Sequence, residues 1–417
     1  MTDRAPGDRP PTGQESCSFA PISALAPGAL STVPVSSVAA LEFDTDEYWM
    51  THALVQAAGV LYVTTPNPRV GSVIVRAGQL LGQGATQPPG GPHAEIMALR
   101  DAQANGHDVA GATVYVTLEP CSHFGRTPPC VDALVAARVG RVVVAMGDPN
   151  PQVGGKGYAR LAEAGIPVTR GVCAQQALAL NVGFVSRMHR GRPWVWAKMA
   201  ASLDGRSALH NGVSQWITGP AARADGHHWR ARSCVVLTGM GTVLKDDPKL
   251  NVRAVQTSRQ PRRAVIDGTL SISTSAQIFD GGEVLVFTCT DDPARAKTLA
   301  QVNARVIVLP AAQAGRVDLA AVMHWLAQDG VNEVHVEAGA GLTGALISAG
   351  QVDELLLYIA PVLLGDALGM ARLPVLEHLD DVQRYAFHEV SMVGEDVRLR
   401  ARVASSWEAL VDCVNRI

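Results

Sequence analysis

From residue 44 onward, short apolar runs alternate with stretches whose apolar residues recur every three or four positions, a pattern of strands interleaved with helices. Asp44-Thr45-Asp46-Glu47 has the form of a capping box, and Trp49, Ala53, Leu54 and Ala57 follow at helical spacing. The stretch TTPNPRVGSVIV passes from a Pro/Asn turn into a buried strand, Val70–Val75, and Gly78 turns the chain back toward Leu80–Leu81 as a hairpin. Gly90–Pro92 delivers the chain into a helix with His93 and Glu95 in its first turn and Ile96, Met97 and Leu99 available for the core. Ala112–Leu118 reads as a strand ending at Glu119-Pro120-Cys121, and a helix over Val131–Arg138 starts at Cys130. Strands at Arg141–Met146 and Ile166–Thr169 complete an alternation that predicts an α/β sandwich around one sheet.

A polar, basic run at Arg187–Arg192 separates this unit from a new strand at Trp194–Met199. Strands near Cys234–Thr238, Arg263–Ile266, Val284–Thr288, Arg305–Leu309, Glu333–Glu337 and Glu354–Ile359 predict a second α/β domain. Its opening strand is followed by no Walker sequence and no G-x-G-x-x-G. The division expected is therefore an extension over 1–43, a first domain over 44–190 and a second over 191–417. Ser16–Leu41 is uncharged, but Pro21, Pro27 and Pro34 among many Ser and Gly argue against a membrane helix. Without a basic start and an unbroken apolar run it is also no signal peptide, which leaves a flexible extension.

Composition narrows the function. With 417 residues, 47% hydrophobic and 18% charged, the chain reads as an ordinary globular protein of two or three domains. A formal charge of −3 provides no basic footprint for nucleic acid, so a small soluble substrate fits better. Seven cysteines are present; Cys17, Cys173, Cys234, Cys289 and Cys413 are scattered without paired spacing, which suits a reducing cytoplasm.

The other two cysteines belong to a chemical pattern. His93, Cys121 and Cys130 offer one neutral nitrogen and two thiolates, a donor set suited to Zn²⁺, and three protein ligands leave a fourth position open for water. Glu95, two residues past His93, is poorly spaced as a ligand but well placed to move protons beside that water. H-x-E followed by P-C and a further Cys is the zinc-deaminase arrangement. Its usual form has two residues between the cysteines; here eight intervene, Ser122 to Pro129.

That long loop, PCSHFGRTPPC, resembles the deaminase half of the bifunctional riboflavin-biosynthesis deaminase–reductase family. MAASLDGRSA, SQWIT, LTGMGTVLKDDPKLNVR and VEAGAGLTGALISAG, in this order, resemble its reductase half, so that the likeness spans Asp46–Val403. The resemblance implies a cytidine-deaminase-like α/β/α sandwich followed by a dihydrofolate-reductase-like α/β domain. It also implies zinc-dependent deamination of a phosphorylated diaminopyrimidinone ribosylamine, then NADPH-dependent reduction of the ribosyl group to ribityl, in the cytoplasm, by a homo-oligomer that needs neither nucleic acid nor membrane.

Carried over by motif position, Trp216, Thr242 and Asp246 line the nicotinamide cofactor, with backbone contacts from Ala200 and Gly268. Gly339, Ala340, Gly341, Leu342, Thr343, Gly344 and Ala345 are implied to hold its phosphates; alone, that strand-to-helix turn reads equally well as a turn without a ligand. On the substrate side the resemblance points to Lys198, Ser214, Arg230, Leu250, Arg253 and Glu337, the two arginines being suited to phosphate. Asn67 reads either as a pyrimidine contact or as a turn residue between prolines, and His123 either as a substrate contact or as loop decoration. One departure stands out: Thr86 occupies a place where family members commonly carry a histidine. Two rival readings are a nucleic-acid deaminase, which needs a basic groove, and a non-catalytic zinc module that binds protein.

Overall fold

The computed structural model describes residues 42–123 and 128–417. The expected extension therefore lies, but for its last two residues, outside the described residues, as do residues 124–127 of the inter-cysteine loop. Helix α1 (Asp46–Gly59) begins where the capping pattern places it: Thr45 Oγ1 accepts the Tyr48 N–H at 3.2 Å, and Trp49, Ala53, Leu54 and Ala57 are buried. Strands β1 (Gly71–Arg76) and β2 (Gln79–Ala85) form the expected antiparallel hairpin, turned at Gly78 with φ +74°. There follow α2 (Ala94–Ala104), β3 (Thr113–Val116), α3 (Cys130–Ala136), β4 (Arg141–Val144), α4 (Lys156–Glu163), β5 (Val168–Arg170) and α5 (Ala174–Arg190). The sheet order is β2-β1-β3-β4-β5; β1 is antiparallel to both neighbours, and β3, β4 and β5 are parallel. Helices α1 and α5 touch each other, while α2, α3 and α4 touch in series, so two helical layers flank the sheet.

One core expectation holds only in part. Ile96, Met97 and Leu99 are partly buried, Leu99 packing against the core, while the fully buried apolar positions of α2 are Ala94, Ala98 and Ala102. A Cβ added to Gly82 would stand 2.4 Å from the Ala98 carbonyl oxygen, and one on Gly84 would stand 2.5 Å from Met97 Cβ. The helix thus rides on the backbone of β2, where glycine on the strand makes room for it.

The second unit opens with β6 (Trp194–Ser202), β7 (Arg206–Ala208), α6 (Pro220–Arg232), β8 (Val235–Gly239), α7 (Met240–Asp246) and β9 (Arg262–Ile266). It continues through β10 (Val284–Thr288), α8 (Pro293–Ala300), β11 (Ala304–Val308), the small hairpin β12 (Ala311–Gln313) and β13 (Arg316–Val317), α9 (Leu319–Gln328) and β14 (Glu333–Val336). Last come α10 (Ala340–Ser348), β15 (Glu354–Ala360), β16 (Leu368–Gly369), β17 (Ala386–Val393), β18 (Asp396–Arg402) and α11 (Ala404–Arg416). Nine strands pair in the order β11-β10-β9-β8-β14-β6-β15-β18-β17, parallel as far as β15 and antiparallel beyond it. All six strands expected after Trp194–Met199 are present within a residue or so of the expected bounds; β17, β18 and α11 went unforeseen.

The basic run at the division is ordered. It forms the last turn of α5, closed by Gly191 at φ +67°, and Arg190 and Arg192 both bond Asp353, at 2.9 and 2.5 Å. Trp194, Trp196, Trp229, Leu356 and Tyr358 of the second unit share one continuous apolar core with the first. Leu410 and Val414 of α11 join it from the far end, each burial contributing about 2 kcal/mol.

Charge is buried in the same interface. Arg69, on the loop before β1, places both guanidinium nitrogens on Glu333 at the head of β14, at 2.7 and 2.8 Å, and Arg232 at the end of α6 adds bonds of 3.2 and 3.4 Å. Arg69 also donates to the Leu61, Leu180 and Arg232 carbonyls. Removing water from Glu333 would raise its pKa, yet the Arg232 and Arg69 charges prevail and hold it below the usual carboxylate range.

Candidate active sites

The first site forms at one corner of the smaller sheet. His93 caps α2 in an extended conformation (φ −78°, ψ 167°), Cys121 lies just past β3, and Cys130 is the first residue of α3. His93 Nδ1 lies 3.5 Å from Cys121 Sγ and 3.4 Å from Cys130 Sγ, and the Cys130 N–H donates to Cys121 Sγ at 3.3 Å. All three donor atoms fall within 4.8 Å of one another. One imidazole nitrogen and two sulfurs at this separation fit Zn²⁺, with Nδ1 as the ligating nitrogen.

Glu95 sits in the first turn of α2, 4% exposed, and its carboxyl hydrogen-bonds the Cys130 thiol. Burial, then the charge on Cys121, pushes it up to about 7. Cys121 falls to about 4, first because Cys130 hydrogen-bonds its thiolate and then because His93 does; Cys130 is pushed up by the same bond and by burial.

A residue that sequence reasoning passed over holds this corner together. Buried Glu119 receives backbone N–H groups from Asp148 at 3.3 Å and Gly155 at 3.0 Å on one oxygen, and from Gly157 at 2.9 Å and Tyr158 at 3.4 Å on the other. Its own N–H donates to the Met146 carbonyl at 3.0 Å. A carboxylate ending an apolar strand directly before Pro120-Cys121 was the available signal. Nearby Asp148 is also raised to about 7, chiefly by burial.

Asn67 is partly buried, and its N–H closes a turn on the Thr64 carbonyl at 2.9 Å. Thr86 is buried, its N–H bonded to the Val70 carbonyl at 3.0 Å. His123 Nδ1 is buried at the edge of the inter-cysteine loop, with no hydrogen-bond partner among the described residues.

The second site is a cavity of about 1470 Å³ at the ends of β6, β8 and β14. The structure brings to its wall Lys198, Ala200, Ser214, Trp216, Arg230 and Thr242, then Asp246, Leu250, Arg253, Glu337 and the run Gly339, Ala340, Gly341 and Leu342. Gly268, Thr343, Gly344 and Ala345 lie outside that wall. The Gly268 carbonyl accepts hydroxyls of Thr288 and Thr290 at 3.2 and 2.9 Å, and a Cβ there would meet the Gly315 oxygen at 2.0 Å. Gly344 packs on the Arg372 backbone, Thr343 Oγ1 bonds the Ala338 carbonyl at 3.2 Å, and Ala345 is exposed one turn along the helix. The glycine at 344 is therefore a packing requirement.

Gly339 caps α10 and donates its N–H to Thr242 Oγ1 at 3.1 Å, leaving the positive end of the helix toward the cavity. Arg230 is not free for phosphate. Its Nε and Nη2 grip both oxygens of Glu337, the latter at 2.8 Å, and Nη1 donates to the Asn251 carbonyl at 3.0 Å. Burial alone would raise Glu337, but the Arg230 charge and hydrogen bonds, with His335 3.4 Å away, hold it well below the usual range. Arg253 is exposed on the wall with one bond to Asn251 Oδ1 at 3.3 Å. Lys198 stands 5.8 Å from the Tyr358 ring centre, and burial lowers its pKa. Trp216 is exposed, with the Arg223 guanidinium 4.6 Å over its ring.

Known proteins share this arrangement. Residues 43–146 match the cytidine and deoxycytidylate deaminase zinc-binding region, and residues 193–399 match the RibD C-terminal domain. The chain is 47% identical over 367 residues to the riboflavin biosynthesis protein RibD of Escherichia coli, covering 85% of this chain and 98% of that one. It is 42% identical to the Haemophilus influenzae protein of the same name, over 86% of this chain and 98% of the other. Among solved structures, Acinetobacter baumannii RibD superposes with a TM-score of 0.79 at 42% identity, over 87% of this chain and 99% of that one. The Thermotoga maritima diaminohydroxyphosphoribosylaminopyrimidine deaminase/5-amino-6-(5-phosphoribosylamino)uracil reductase gives 0.76 at 30% identity, over 86% and 98%.

Proposed function

This chain belongs to the RibD family of bifunctional riboflavin-biosynthesis deaminase–reductases, and from that premise we propose which residues carry each half-reaction. It is an enzyme with both activities, using zinc and NADPH. The substrate in this reading is the phosphorylated diaminopyrimidinone ribosylamine, deaminated first and then reduced from ribosyl to ribityl. The convergence of His93, Cys121 and Cys130 on one point, with Glu95 beside it, carries the reading.

In the deaminase half, His93, Cys121 and Cys130 would hold the zinc, which would act there as a Lewis acid toward the water needed for deamination. Glu95 takes a proton there and returns it to the departing ammonia; its burial beside Cys130 keeps that proton from bulk solvent. Asn67 is assigned to the pyrimidine. In the reductase half, NADPH supplies the hydride. Backbone N–H groups over Ala340–Leu342, in the turn that Gly339 caps, receive its phosphates, while Trp216, Thr242, Ala200 and Asp246 line its path. Glu337, fixed by Arg230, offers a rigid acceptor to sugar hydroxyls, and Lys198, Ser214, Leu250 and Arg253 complete the substrate side, Arg253 with a guanidinium for phosphate.

The same reading assigns 44–190 to the deaminase and 191–417 to the reductase, with residues 404–417 reaching back over the former. Self-association is supported by β17, an edge strand with Phe387, Val390 and Met392 exposed. A cytoplasmic setting is supported by six free cysteines among the described residues, no helix of which is long and apolar enough to cross a membrane. The test is a coupled assay on the ribosylaminopyrimidine phosphate: one ammonia should appear for each NADPH oxidised. Ammonia without oxidation, or oxidation without ammonia, would remove one of the two sites.

A further inference from the structure

Residues 404–417 lie beyond both family matches, yet they touch the deaminase half. Leu410 and Val414 of α11 are buried in the first core, where α11 packs on α5. Past the helix, the Ile417 side chain lies over Gly147: a Cβ on that glycine would meet Ile417 Cγ2 at 2.5 Å and Cβ at 2.6 Å. A Cβ on Gly154 would also find Ile417 Cγ2, at 3.9 Å. Arg170 closes the contact from the side. Its Nη1 donates to the main-chain oxygen of Ile417 at 3.1 Å, and its guanidinium stacks 3.9 Å from the Tyr158 ring centre.

Gly147 and Gly154 adjoin the backbone that Glu119 gathers, Gly147 directly before Asp148 and Gly154 directly before Gly155. Asp148, Gly155, Gly157 and Tyr158 all donate to that carboxylate, and a Cβ on Gly157 would meet the Pro120 carbonyl oxygen at 2.2 Å. Pro120 is the residue before Cys121, so a continuous run of contacts leads from Ile417 to a sulfur of the metal corner.

We propose that Ile417, carried by α11, is a positioning residue for the deaminase site: it seats the Gly147–Gly154 turn, which holds Glu119 and, through Pro120, fixes Cys121. This rests on the metal-corner reading above. The segment completes the first site although it follows the last strand of the reductase sheet.

The test uses the full chain loaded with zinc. Ile417→Gly should lower kcat for ammonia release about tenfold and speed zinc loss to a chelator by a similar factor, with NADPH oxidation on pre-deaminated substrate unchanged. Ile417→Val should behave as the parent. Gly147→Ala should impair the site from the other side, and the swap Gly147→Ala/Ile417→Gly should recover part of the loss, since the added methyl then occupies the vacated space. Parental deamination and zinc retention in Ile417→Gly would overturn the proposal, as would equal loss of both activities. A parent chain that binds no zinc would instead sink the metal-corner reading, because the Ile417 comparison would have no metal to report on.

Discussion

Both halves bury carboxyl groups, and the two sets respond in opposite directions. At the metal corner Glu95 and Asp148 are pushed up to about 7, chiefly by burial, and no guanidinium among the described residues offsets it. Across the reductase half Glu333, Glu337 and Glu354 are as deeply withdrawn from water, yet all three are held low by arginines: Arg69 and Arg232, Arg230, and Arg400. Desolvation is common to both sets; the partner decides the sign. The first site keeps a carboxyl able to carry a proton and leaves its cation to be supplied. The second keeps permanent anions locked in place, which suits binding and architecture more than proton transfer.

Glu95→Gln strikes that contrast hardest. It should cut ammonia release about a thousandfold or more while zinc stays bound and reduction of pre-deaminated substrate continues. Loss of reduction as well, in a folded variant, would show that the two sites are not separate. Next in size, Glu333→Gln strands two buried guanidinium groups and should cost about 3–5 kcal/mol in a denaturation experiment, lowering both activities near the shifted midpoint. A change near zero would mean that Arg69 and Arg232 find other partners. The smallest effect is in acid. Glu354 is held to about 2, burial opposing and the Arg400 charge prevailing, so its folded pKa lies below its unfolded value. Its stabilisation is full above the ordinary carboxylate value and should fade as pH falls from about 5 toward about 2. Thermal melts across that window should lose their slope in part in Glu354→Gln; an unaltered slope would exclude this group as its source.

These contrasts were unequally legible in the chain. His93, Glu95, Cys121 and Cys130 stand within forty residues in the H-x-E then P-C order that zinc deaminases use, so the metal corner could be read directly despite the eight residues between its cysteines. Most of the reductase wall came through resemblance, which places residues by position and does not see their partners. Arg230 was taken for a phosphate holder because nothing local reveals that Glu337, 107 residues on, occupies its fork. At Gly268 and Gly344, likewise, nothing local reveals the close backbone packing on Gly315 and Arg372 that each glycine permits. Arg69 and Glu333 are 264 positions apart and unremarkable in their local settings. Helix α2 was legible only in part: Leu99 does pack against the core, but the close approach over Gly82 and Gly84 gives the fully buried apolar positions to Ala94, Ala98 and Ala102.

The shared core has a bearing on biosynthesis. The first sheet leaves the ribosome well before Trp194, Trp229 and Leu356 exist to cover it, and Leu410 and Val414 follow later still. Until then the nascent chain carries an apolar face with nothing opposite it, a state open to premature association. Chaperone occupancy during translation should therefore persist past the completion of residues 44–190, and release should await the helix at 404–416.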